Sequence, residues 1–514
     1  MSYLSLARMK NALAFASGLA LAGYADAIPA ASSTTCCREL FQALPSVFFS
    51  PSTSQYNTLI NARWSGTSVL HPGCVVTPKS ALDVSKAVKI IVKNQCQFAV
   101  RGGGHNANPG FNSIDDGVSI DLSSLNSASL SEDRSYISIG AGITWGEAYD
   151  AFNSSNIGFT GGICEDVSAG GVSLGGGQSL FQPKRGWTID NILNYEIVLA
   201  SGEIVNANAT SYPDLFKALK GGNTNFGIVT HLKVASFDFD GLWGGEVFVS
   251  LNGPQASYSE VQDQMSQALV DFTANNHLDT NTAVQLMTVY LANNQGQIVN
   301  AAFGNTIGEE NPASLQGFLN MPNQVKHDVG HIKLADFVHQ VSEFQAKGYR
   351  QVTSSITISN DYATVRGIWD VTDEIYNGLE HKDQVDWMIS FIPQPMVQQS
   401  YAARSGGNSL GLQSVTDDQI VVWLTSRWTD PSLDSMMYAA RDDFIVATET
   451  VAKKHGTYHP FLYINYASPS QNPLCGYGVD NFNFLKSTAA KYDPHGVFQK
   501  LMPGGFKVSK TACS

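Results

Sequence analysis

A histidine, a cysteine and two tyrosines are the residues of this sequence whose surroundings suggest chemistry. His105 ends the glycines of "RGGGHNANPG", Cys164 stands in a second glycine-rich stretch, and Tyr463 and Tyr466 belong to "YINY" near the carboxyl end. An imidazole or a thiol can act as a nucleophile, and a tyrosine can accept a proton when its pKa, ordinarily about 10, is lowered. Each also has a structural explanation, because most histidines and tyrosines are hydrogen-bonded or packed residues.

Residues 74–101 are predicted to form the βαβ unit that positions the histidine. "CVVTP" predicts a strand, Ser80 caps a helix that runs to about Asn94, and "CQFAVR" predicts a second strand that leads into the glycines. Loops at the carboxyl ends of such strands bind ligands, and the successive N–H groups of a glycine turn suit an anion such as a pyrophosphate. The loop is not G-x-G-x-x-G, so a Rossmann fold is not indicated.

The remaining patterns predict further strands and a separate domain. Strands are expected at "GVSIDLSSL", "SYISIGAGITW" and "NYEIVLASGEIVNAN". Residues 236–455 lack glycine clusters, and strand patterns such as "AVQLMTVYLA" and "IVVWLTSRW" alternate there with amphipathic helices. We interpret this stretch as an antiparallel sheet with helices, inserted between an N-terminal region, 28–235, and a C-terminal segment, 456–514.

Length and charge exclude several classes of protein. A chain of 514 residues is too long for one ordinary core, and its 43% hydrophobic and 15% charged residues are typical of a well-packed globular protein. The net charge of −13, without any lysine or arginine run, argues against a nucleic-acid partner. His327 and His331 have the spacing of helical zinc ligands, but Gly330 lies between them and no acidic third ligand is evident, so no metal is expected.

The first residues have the layout of a secretory signal peptide. Arg8 and Lys10 precede the apolar run "NALAFASGLALAGYA" and the small residues "ADA". We expect residues 1–27 to be removed after Ala27, or slightly later near Ala30. The run is too short to span a bilayer comfortably and no other segment is long and apolar enough, so no membrane partner is predicted.

Export would allow the cysteines to pair. In an oxidising compartment six of the seven could form disulfides, which leaves one as a free thiol or for another covalent use. The six are Cys36, Cys37, Cys74, Cys96, Cys475 and Cys513, and the cysteine left over is Cys164. Asn153 and Asn208 head glycosylation sequons, which adds weak support for a secreted or vesicular location.

Together, these motifs resemble those of the berberine bridge enzyme-like flavoproteins, which share the FAD-binding fold of vanillyl-alcohol oxidase and p-cresol methylhydroxylase (the PCMH type). "RGGGH" is similar to the family's R-S-G-G-H, and "GGICEDVSAGG" followed by "LGGG" is similar to its G-x-C-P-T-V-G-x-G-G and later glycines. The departures are Gly102 for serine, Glu165 for proline, Asp166 for threonine and Ser168 for glycine. "IDNIL", "ASGEIV", "DLFKALKGGNTNFGIVT" and "YDPHGVF" follow in the family's order. The resemblance covers about residues 40–507 and implies an α+β fold, a two-part PCMH-type FAD-binding domain with an inserted substrate domain.

The resemblance also implies how FAD is held. In the family the loop histidine is bonded to the flavin 8α-methyl group, and a cysteine at the position of Cys164 forms a second bond at C6. The implied cofactor-binding residues are Arg101, Gly102, Gly103, Gly104, His105, Gly161, Gly162, Cys164, Val167, Ser168, Gly170, Gly171, Gly175, Ile228, Tyr463 and Asn465. In plant members the residue three after the cysteine is an oxygen gate, and valine, here Val167, admits O₂.

For catalysis, the family places a tyrosine from the Y-x-N-Y strand over the flavin. Tyr466 matches this base, with Tyr463 and Asn465 beside it. We expect a neighbouring cation or the flavin environment to lower its pKa.

A family disulfide joins an N-terminal cysteine to the one ahead of the histidine loop. Here the resemblance implies Cys36 or Cys37 with Cys96, and Cys475 with Cys513 is a further suggestion.

The expected function is that of a secreted, monomeric FAD-dependent oxidase. It would remove hydride from a small organic substrate, such as an alcohol, phenol, amine or sugar of secondary metabolism, and pass the electrons to O₂ to give H₂O₂. The alternative is a flavoprotein that acts mainly as a binding or cyclisation catalyst on a reactive biosynthetic intermediate. A binding protein without flavin would be colourless. The substrate domain carries no motif that names the substrate.

Overall fold

The fold is that of a computed structural model, which describes residues 33–342 and 345–513. The predicted signal peptide, 1–27, lies outside the described residues. Three sheets organise these described residues. None of the helices in the described ranges is long and apolar enough to cross a membrane.

The first sheet contains the predicted βαβ unit. Its elements are α1 (Ser33–Ala43), β1 (Phe48–Phe49), α2 (Ser54–Asn61), β2 (Cys74–Val76), α3 (Ala81–Asn94), β3 (Phe98–Arg101) and β4 (Val118–Asp121). The side chain of Ser80 accepts the N–H of Asp83 and caps α3, as predicted. The strand order is β1-β2-β4-β3, so the parallel strands β2 and β3 are separated by β4, which pairs in parallel with both. The glycine loop leaves the carboxyl end of β3.

The second sheet is antiparallel and completes the part of the chain that carries the glycine-rich motifs. Its strands and helices are β5 (Ala128–Leu130), β6 (Tyr136–Gly140), α4 (Trp145–Phe152), β7 (Ile157–Phe159), α5 (Ala169–Gly175), α6 (Gln182–Arg185), β8 (Ile192–Val198), β9 (Ile204–Ala207), α7 (Pro213–Gly222) and β10 (Ile228–Asp238). The order is β5-β6-β10-β8-β9, and β7 pairs with β10. Trp145, Trp187 and Tyr195 are fully buried in its core, and burial of this apolar surface stabilises the unit.

The third sheet has eight antiparallel strands, which confirms the predicted antiparallel sheet with helices. The elements are β11 (Leu242–Ser250), α8 (Tyr258–Asn275), β12 (Thr282–Leu291), β13 (Gly296–Asn305), α9 (Gln316–Leu319), β14 (Gln324–Ile332), α10 (Leu334–Val341), β15 (Arg350–Ser359), α11 (Tyr362–Gly378), β16 (Asp386–Gln394), α12 (Met396–Gln399), β17 (Gln419–Trp428), α13 (Asp434–His455) and β18 (Tyr458–His459). Their order is β14-β11-β13-β12-β16-β17-β15-β18. Two helices, α14 (Val479–Tyr492) and α15 (Val497–Lys500), follow.

Alternation along these strands gives the third sheet two different faces. Val247, Leu286 and Ile389 belong to one face and pack in a core beneath helices α8, α11 and α13. Residues of the opposite parity, such as Met287 and Trp423, point the other way and line a cavity against the glycine-rich part of the chain.

The disulfides resolve the pairing that the sequence left open. Cys36 bonds to Cys96, Cys37 to Cys74, and Cys475 to Cys513, while Cys164 is free. The family disulfide and the suggested C-terminal pair are therefore both confirmed. Adjacent residues on a helix point about 100° apart, which is why Cys36 and Cys37 in α1 reach different partners.

The expectation that "YINY" is a strand was wrong. Residues 463–466 form a turn, in which the N–H of Tyr466 donates to the carbonyl of Tyr463 at 2.9 Å. A strand would place Tyr463 and Tyr466 on opposite faces, whereas the turn brings their rings together at 4.6 Å.

Candidate active site

A cavity of about 270 Å³ lies where the glycine-rich loops meet the third sheet. Its walls are the loop after β3, the Cys164 loop, the 463–466 turn and the inward face of strands β11, β12, β13, β15 and β17. The cavity brings together residues that are hundreds of positions apart in sequence.

The glycine loop after β3 lies directly against the Cys164 loop. A side chain at Gly102 would place its Cβ 2.3 Å from Ser168 Oγ, and one at Gly103 would lie 2.8 Å from the backbone nitrogen of Ser168. Gly102 and Ser168 are two of the departures from the family pattern, which has serine and glycine at these positions. The two departures compensate, because only one of the two facing positions has room for a hydroxymethyl group.

The loop is anchored from below by Arg101. Its Nη1 lies 2.6 Å from Asp121 Oδ2, and its Nη2 donates to the carbonyls of Ala62 and Gly103 at 2.6 and 3.2 Å. Gly104 has φ +77°, a conformation that favours glycine. Arg101 therefore holds the shape of the loop, and its side chain does not line the cavity.

His105 is held by an aromatic stack. The ring of Trp64 lies parallel to the imidazole, with centroids 4.1 Å apart and planes 13° apart, and Trp64 Nε1 donates to the carbonyl of Gln345. Burial lowers the pKa of His105 to about 4, against a smaller opposing effect of Asp166. The imidazole is therefore neutral at pH 7, with a ring nitrogen free to form a covalent bond.

Cys164 faces the same point of the cavity. Its Sγ lies 3.6 Å from His105 Nε2. Burial raises the pKa of the thiol to about 12, so Cys164 is a thiol and not a thiolate at neutral pH.

The two acidic departures beside Cys164 bind the segment that follows β14. Glu165 Oε2 lies 2.5 Å from Nδ1 of His339 in α10, and the Glu165 N–H donates to Ser342 Oγ. Asp166 pairs with Lys347 at 2.6 Å. Glu165 and Asp166 thus fasten the Cys164 loop to α10 and to the segment that follows α10, through two carboxylates that the family's proline and threonine lack.

The 463–466 turn closes the other side of the cavity. Tyr463 is 2% exposed, and its hydroxyl accepts the N–H of Gly177 at 2.9 Å and the side-chain amide of Asn465 at 3.0 Å. Tyr466 donates its hydroxyl to Gln178 Oε1 at 3.0 Å, and its ring stacks on Trp423 at 4.2 Å. Tyr463 therefore fixes the turn, while Tyr466 is the more exposed of the two residues.

The expected cation beside Tyr466 was not found. Burial raises the pKa of Tyr466 well above its usual value, and Tyr463 and Cys164 raise it further. Neither lysine nor arginine occurs among the described residues that line the cavity. In this environment the hydroxyl is a protonated donor at neutral pH.

The predicted cofactor and catalytic residues fall into two groups. Those that line the cavity are Gly102, Gly103, Gly104, His105, Gly162, Cys164, Val167, Ser168, Gly171, Tyr463, Asn465 and Tyr466. Those that do not line it are Arg101, Gly161, Gly170, Gly175 and Ile228. The second group supports the first by close packing: a Cβ at Gly161 would meet Trp145 at 2.4 Å, and one at Gly175 would meet Asn465 Oδ1 at 2.1 Å.

Among the residues that line the cavity but were missed from sequence are Trp64, Gln178, Glu246 and Trp423. Glu246 had a usable signal, since it is a single acidic residue in the otherwise uncharged strand "LWGGEVFVS". Gln178 directly follows the glycines of "LGGG", whereas Trp64 and Trp423 reach the site through contacts that are distant in sequence, and no local pattern marks these two.

The residues present fit FAD. Gly102, Gly103 and Gly104 line the cavity, and the successive N–H groups of such a glycine turn suit a pyrophosphate, while His105 and Cys164 offer two attachment atoms in one wall. The buried Nε2 of Gln178 has no hydrogen-bond partner among the described residues, as expected for a group that faces a ligand. The fold and the site define a flavin-binding oxidoreductase.

Comparison with known proteins supports the assignment as a flavin-binding oxidoreductase. Residues 72–208 match the family model described as "FAD binding domain". The FAD-dependent monooxygenase sdcF of Emericella nidulans is 30% identical over 485 residues, which are 93% of this chain and 99% of that protein. The FAD-dependent monooxygenase tpcD of Cochliobolus heterostrophus is 32% identical and is covered to 85%, as is this chain. The chain belongs to this family of FAD-dependent oxidoreductases, of the PCMH and berberine bridge enzyme-like type.

Solved structures share the fold. Xylooligosaccharide oxidase from Myceliophthora thermophila superposes with a TM-score of 0.74 at 18% identity, over 92% of this chain and 99% of that one. Glucooligosaccharide oxidase from Acremonium strictum, whose FAD is 6-S-cysteinyl and 8α-N1-histidyl, gives 0.74 at 17% identity over 91% and 98%.

Proposed function

We propose that the protein is an oxidase that removes hydride from a carbon of a small organic substrate and uses O₂ as the electron acceptor, with FAD bonded to His105 and Cys164. The observation that carries the proposal is the 3.6 Å approach of His105 Nε2 to Cys164 Sγ in the wall of a cavity that Tyr466 also lines. The substrate class is an alcohol, phenol, amine or sugar.

When bound, FAD supplies the redox chemistry, taking up the hydride that leaves the substrate carbon and passing both electrons to O₂, which with two protons becomes H₂O₂. The protein holds the cofactor through the loop anchored by Arg101 and through the neutral imidazole of His105. Val167 lines the cavity three residues after Cys164, the position at which the family resemblance implies an oxygen gate. A leucine there would add a methylene to a close-packed wall.

Tyr466 is the proposed proton acceptor. As hydride leaves a carbon that bears a hydroxyl or amine, the proton of that group passes to Tyr466 Oη, and the substrate becomes a carbonyl or imine. Because burial raises the pKa of Tyr466, the anionic form that accepts this proton becomes more populated as pH rises. The rate of flavin reduction should therefore increase with pH and show no plateau near neutrality.

We also infer that the protein is exported. Three disulfides among the described residues support an oxidising compartment. Of the two sequons, Asn153 is exposed, whereas Asn208 donates its amide to Asn194 at 3.1 Å. Asn153 is therefore the better glycosylation site.

A second candidate is a monooxygenase. It is favoured by one observation, the names of relatives that are 30 to 32% identical over most of this chain. Product formed under ¹⁸O₂ separates the two reactions. An oxidase leaves the label in H₂O₂, whereas a monooxygenase transfers one labelled atom to the product.

The test of the proposal is anaerobic reduction. The purified holoenzyme is mixed with a panel of alcohols, phenols, amines and sugars, and absorbance near 450 nm is followed. We expect one class to bleach the flavin, and the colour to return with H₂O₂ when air is admitted. The flavin of the Tyr466→Phe variant should be reduced at least 100-fold more slowly by the same compound. A loss of this size is within the usual range for general base catalysis. A yellow protein that no compound bleaches would favour the binding or cyclisation alternative.

A further inference from the structure

A polar group lies on the cavity face of the third sheet, away from the 463–466 turn. Glu246 in β11 is directly opposite Ala302 in β13, which is opposite Gln285 in β12. Asn300 precedes Ala302 by two residues and points the same way. Glu246, Gln285 and Asn300 all line the cavity, and we call them the polar subsite.

The polar subsite holds the cavity's one carboxylate. Glu246 is 2% exposed, and its Oε1 accepts a hydrogen bond from Asn300 Nδ2 at 2.6 Å. Among the described residues that line the cavity there is no other carboxylate and no lysine or arginine. A carboxylate accepts hydrogen bonds through several lone pairs, and those from charged or hydroxyl donors are among the stronger ones, so Glu246 in the cavity wall suits a ligand that donates a hydrogen bond or carries a positive charge.

The polar subsite is far from Tyr466. Trp423, which stacks on Tyr466, belongs to β17, and Glu246 belongs to β11. Four strand spacings separate these strands, or about 19 Å along the sheet. Side chains from both ends shorten the gap, but a substrate that reached both Glu246 and Tyr466 would present a different part of itself to each.

We propose that the polar subsite determines substrate specificity: Glu246 accepts a hydrogen bond from a hydroxyl or protonated amine at the far end of the substrate and excludes an anionic group there. This inference rests on the proposed function in one respect, that the cavity is the substrate pocket. The apolar surface of Met287 in β12 lies between the two ends, and the Trp423–Tyr466 stack adds an aromatic wall at the Tyr466 end, so the cavity favours an extended substrate with an apolar or aromatic middle.

The test uses three probes of one shape. 4-Phenylbutylamine, 4-phenylbutanol and 4-phenylbutyrate carry a phenyl ring and an ammonium, hydroxyl or carboxylate at the end of the same chain. Their dissociation constants for the holoenzyme are measured at pH 7 from the change in flavin absorbance. We expect the amine and the alcohol to bind at least tenfold more tightly than the carboxylate, and the order of these two identifies the natural donor.

Three variants separate charge from hydrogen bonding. Glu246→Gln keeps the shape and an acceptor oxygen, so it should bind the alcohol nearly as well, lose tenfold or more for the amine, and gain for the carboxylate. Glu246→Ala should weaken both donor probes. Glu310→Gln, which alters an exposed carboxylate of the same domain, is the control and should leave all three constants unchanged.

Two outcomes overturn the inference: wild-type protein that binds the three probes equally or not at all, or an order that Glu246→Gln leaves unchanged. Its failure is distinguishable from that of the proposed function. If Tyr466→Phe blocks flavin reduction by substrate while the order of probe affinities does not change in the Glu246 variants, the oxidase proposal is supported and the specificity role of Glu246 is wrong. If the order of probe affinities depends on Glu246 but no compound reduces the flavin, the specificity role of Glu246 is supported and the oxidase proposal is wrong.

Discussion

Replacing Asp121 with asparagine should loosen the glycine loop and lower both the stability and the covalent flavin content of the protein. Asp121 is fully buried; its Oδ2 pairs with Arg101 Nη1 at 2.6 Å and its Oδ1 accepts the N–H of Ser123 at 3.0 Å. An asparagine has one oxygen and can accept only one of these two donors. Whichever it accepts, the Arg101 guanidinium, 9% exposed, loses its buried counter-charge.

The expected loss of stability follows from the burial of the Arg101–Asp121 ion pair. Removing one partner of a buried ion pair costs about 3–5 kcal/mol, because a charge is left without compensation. A chain of roughly 480 described residues that unfolds as one unit has an unfolding entropy of about 1 kcal/mol/K, so the Tm should fall by about 3–5 °C. A smaller cooperative unit would show a larger shift. Because Arg101 also holds the carbonyl of Gly103, His105 should be presented less accurately and a smaller fraction of the protein should carry covalent flavin.

The assay compares Asp121→Asn with Asp386→Asn. Asp386 is a close match: its Oδ2 pairs with Arg427 Nε at 2.6 Å, its Oδ1 accepts the N–H of Ala292 at 2.7 Å, and it lies in the third sheet. Thermal unfolding and the flavin that remains with acid-precipitated protein are measured for both. We expect Asp386→Asn to lower the Tm while the flavin stays covalent. The reasoning is refuted if Asp121→Asn shifts the Tm by less than 1 °C, or if both variants lose covalent flavin equally.

Three further outcomes are expected. Flavin reduction by substrate should rise tenfold per pH unit between pH 6 and 9, because burial raises the pKa of Tyr466, and Tyr466→Phe should remove this dependence; a plateau below pH 8 in stopped-flow traces would contradict it. Because the pKa of the Cys164 thiol is about 12 and that of His105 about 4, raising the pH from 6 to 9 during flavin loading should increase the bond to Cys164 but not that to His105; alkylation of Cys164 after unfolding measures this, and an unchanged labelling yield would oppose it. Val167→Leu should slow reoxidation by O₂ at least tenfold while reduction by substrate stays within twofold, and equal slowing of both half-reactions would argue against a gate at this position.

Local patterns in the sequence were sufficient for much of the FAD-binding part. The apolar periodicity of 81–94 and the cap at Ser80 identified α3, and the two flanking strands were placed correctly. Alternation identified strands β12 and β17 of the third sheet. The insertion of β4 between β2 and β3 was not predicted, because strand order depends on contacts between segments and not on the pattern within one.

The site was predictable where a motif matched the family pattern. The resemblance predicted that His105 and Cys164 lie at the same site, and both line one cavity. The turn at Tyr466 was missed because the strand was carried over from the family's Y-x-N-Y motif, although two tyrosines three residues apart would point to opposite faces of a strand. The stack of Trp64 on His105 could not be anticipated, because it depends on how the segment before β2 crosses the glycine loop.

The departures from the family pattern carried information that appears only in the fold. Gly102 and Ser168 weaken the resemblance when each is considered alone. In the fold the two residues face each other, and the serine that the family has at the first position is found at the second position here. The structural role of Glu165 and Asp166 likewise becomes apparent only from their contacts with His339 and Lys347. Compensating pairs of this kind are invisible in a single sequence, because neither partner indicates where the other lies.

The central claim, that the protein is a flavin oxidase, is tested most directly without any substrate. The holoenzyme is reduced anaerobically with a measured equivalent of dithionite and mixed with air-saturated buffer in a stopped-flow instrument, and flavin absorbance and H₂O₂ are both measured. The oxidase account predicts that the yellow colour returns within seconds and that one H₂O₂ forms per flavin. Flavin that stays bleached for minutes in air would contradict it.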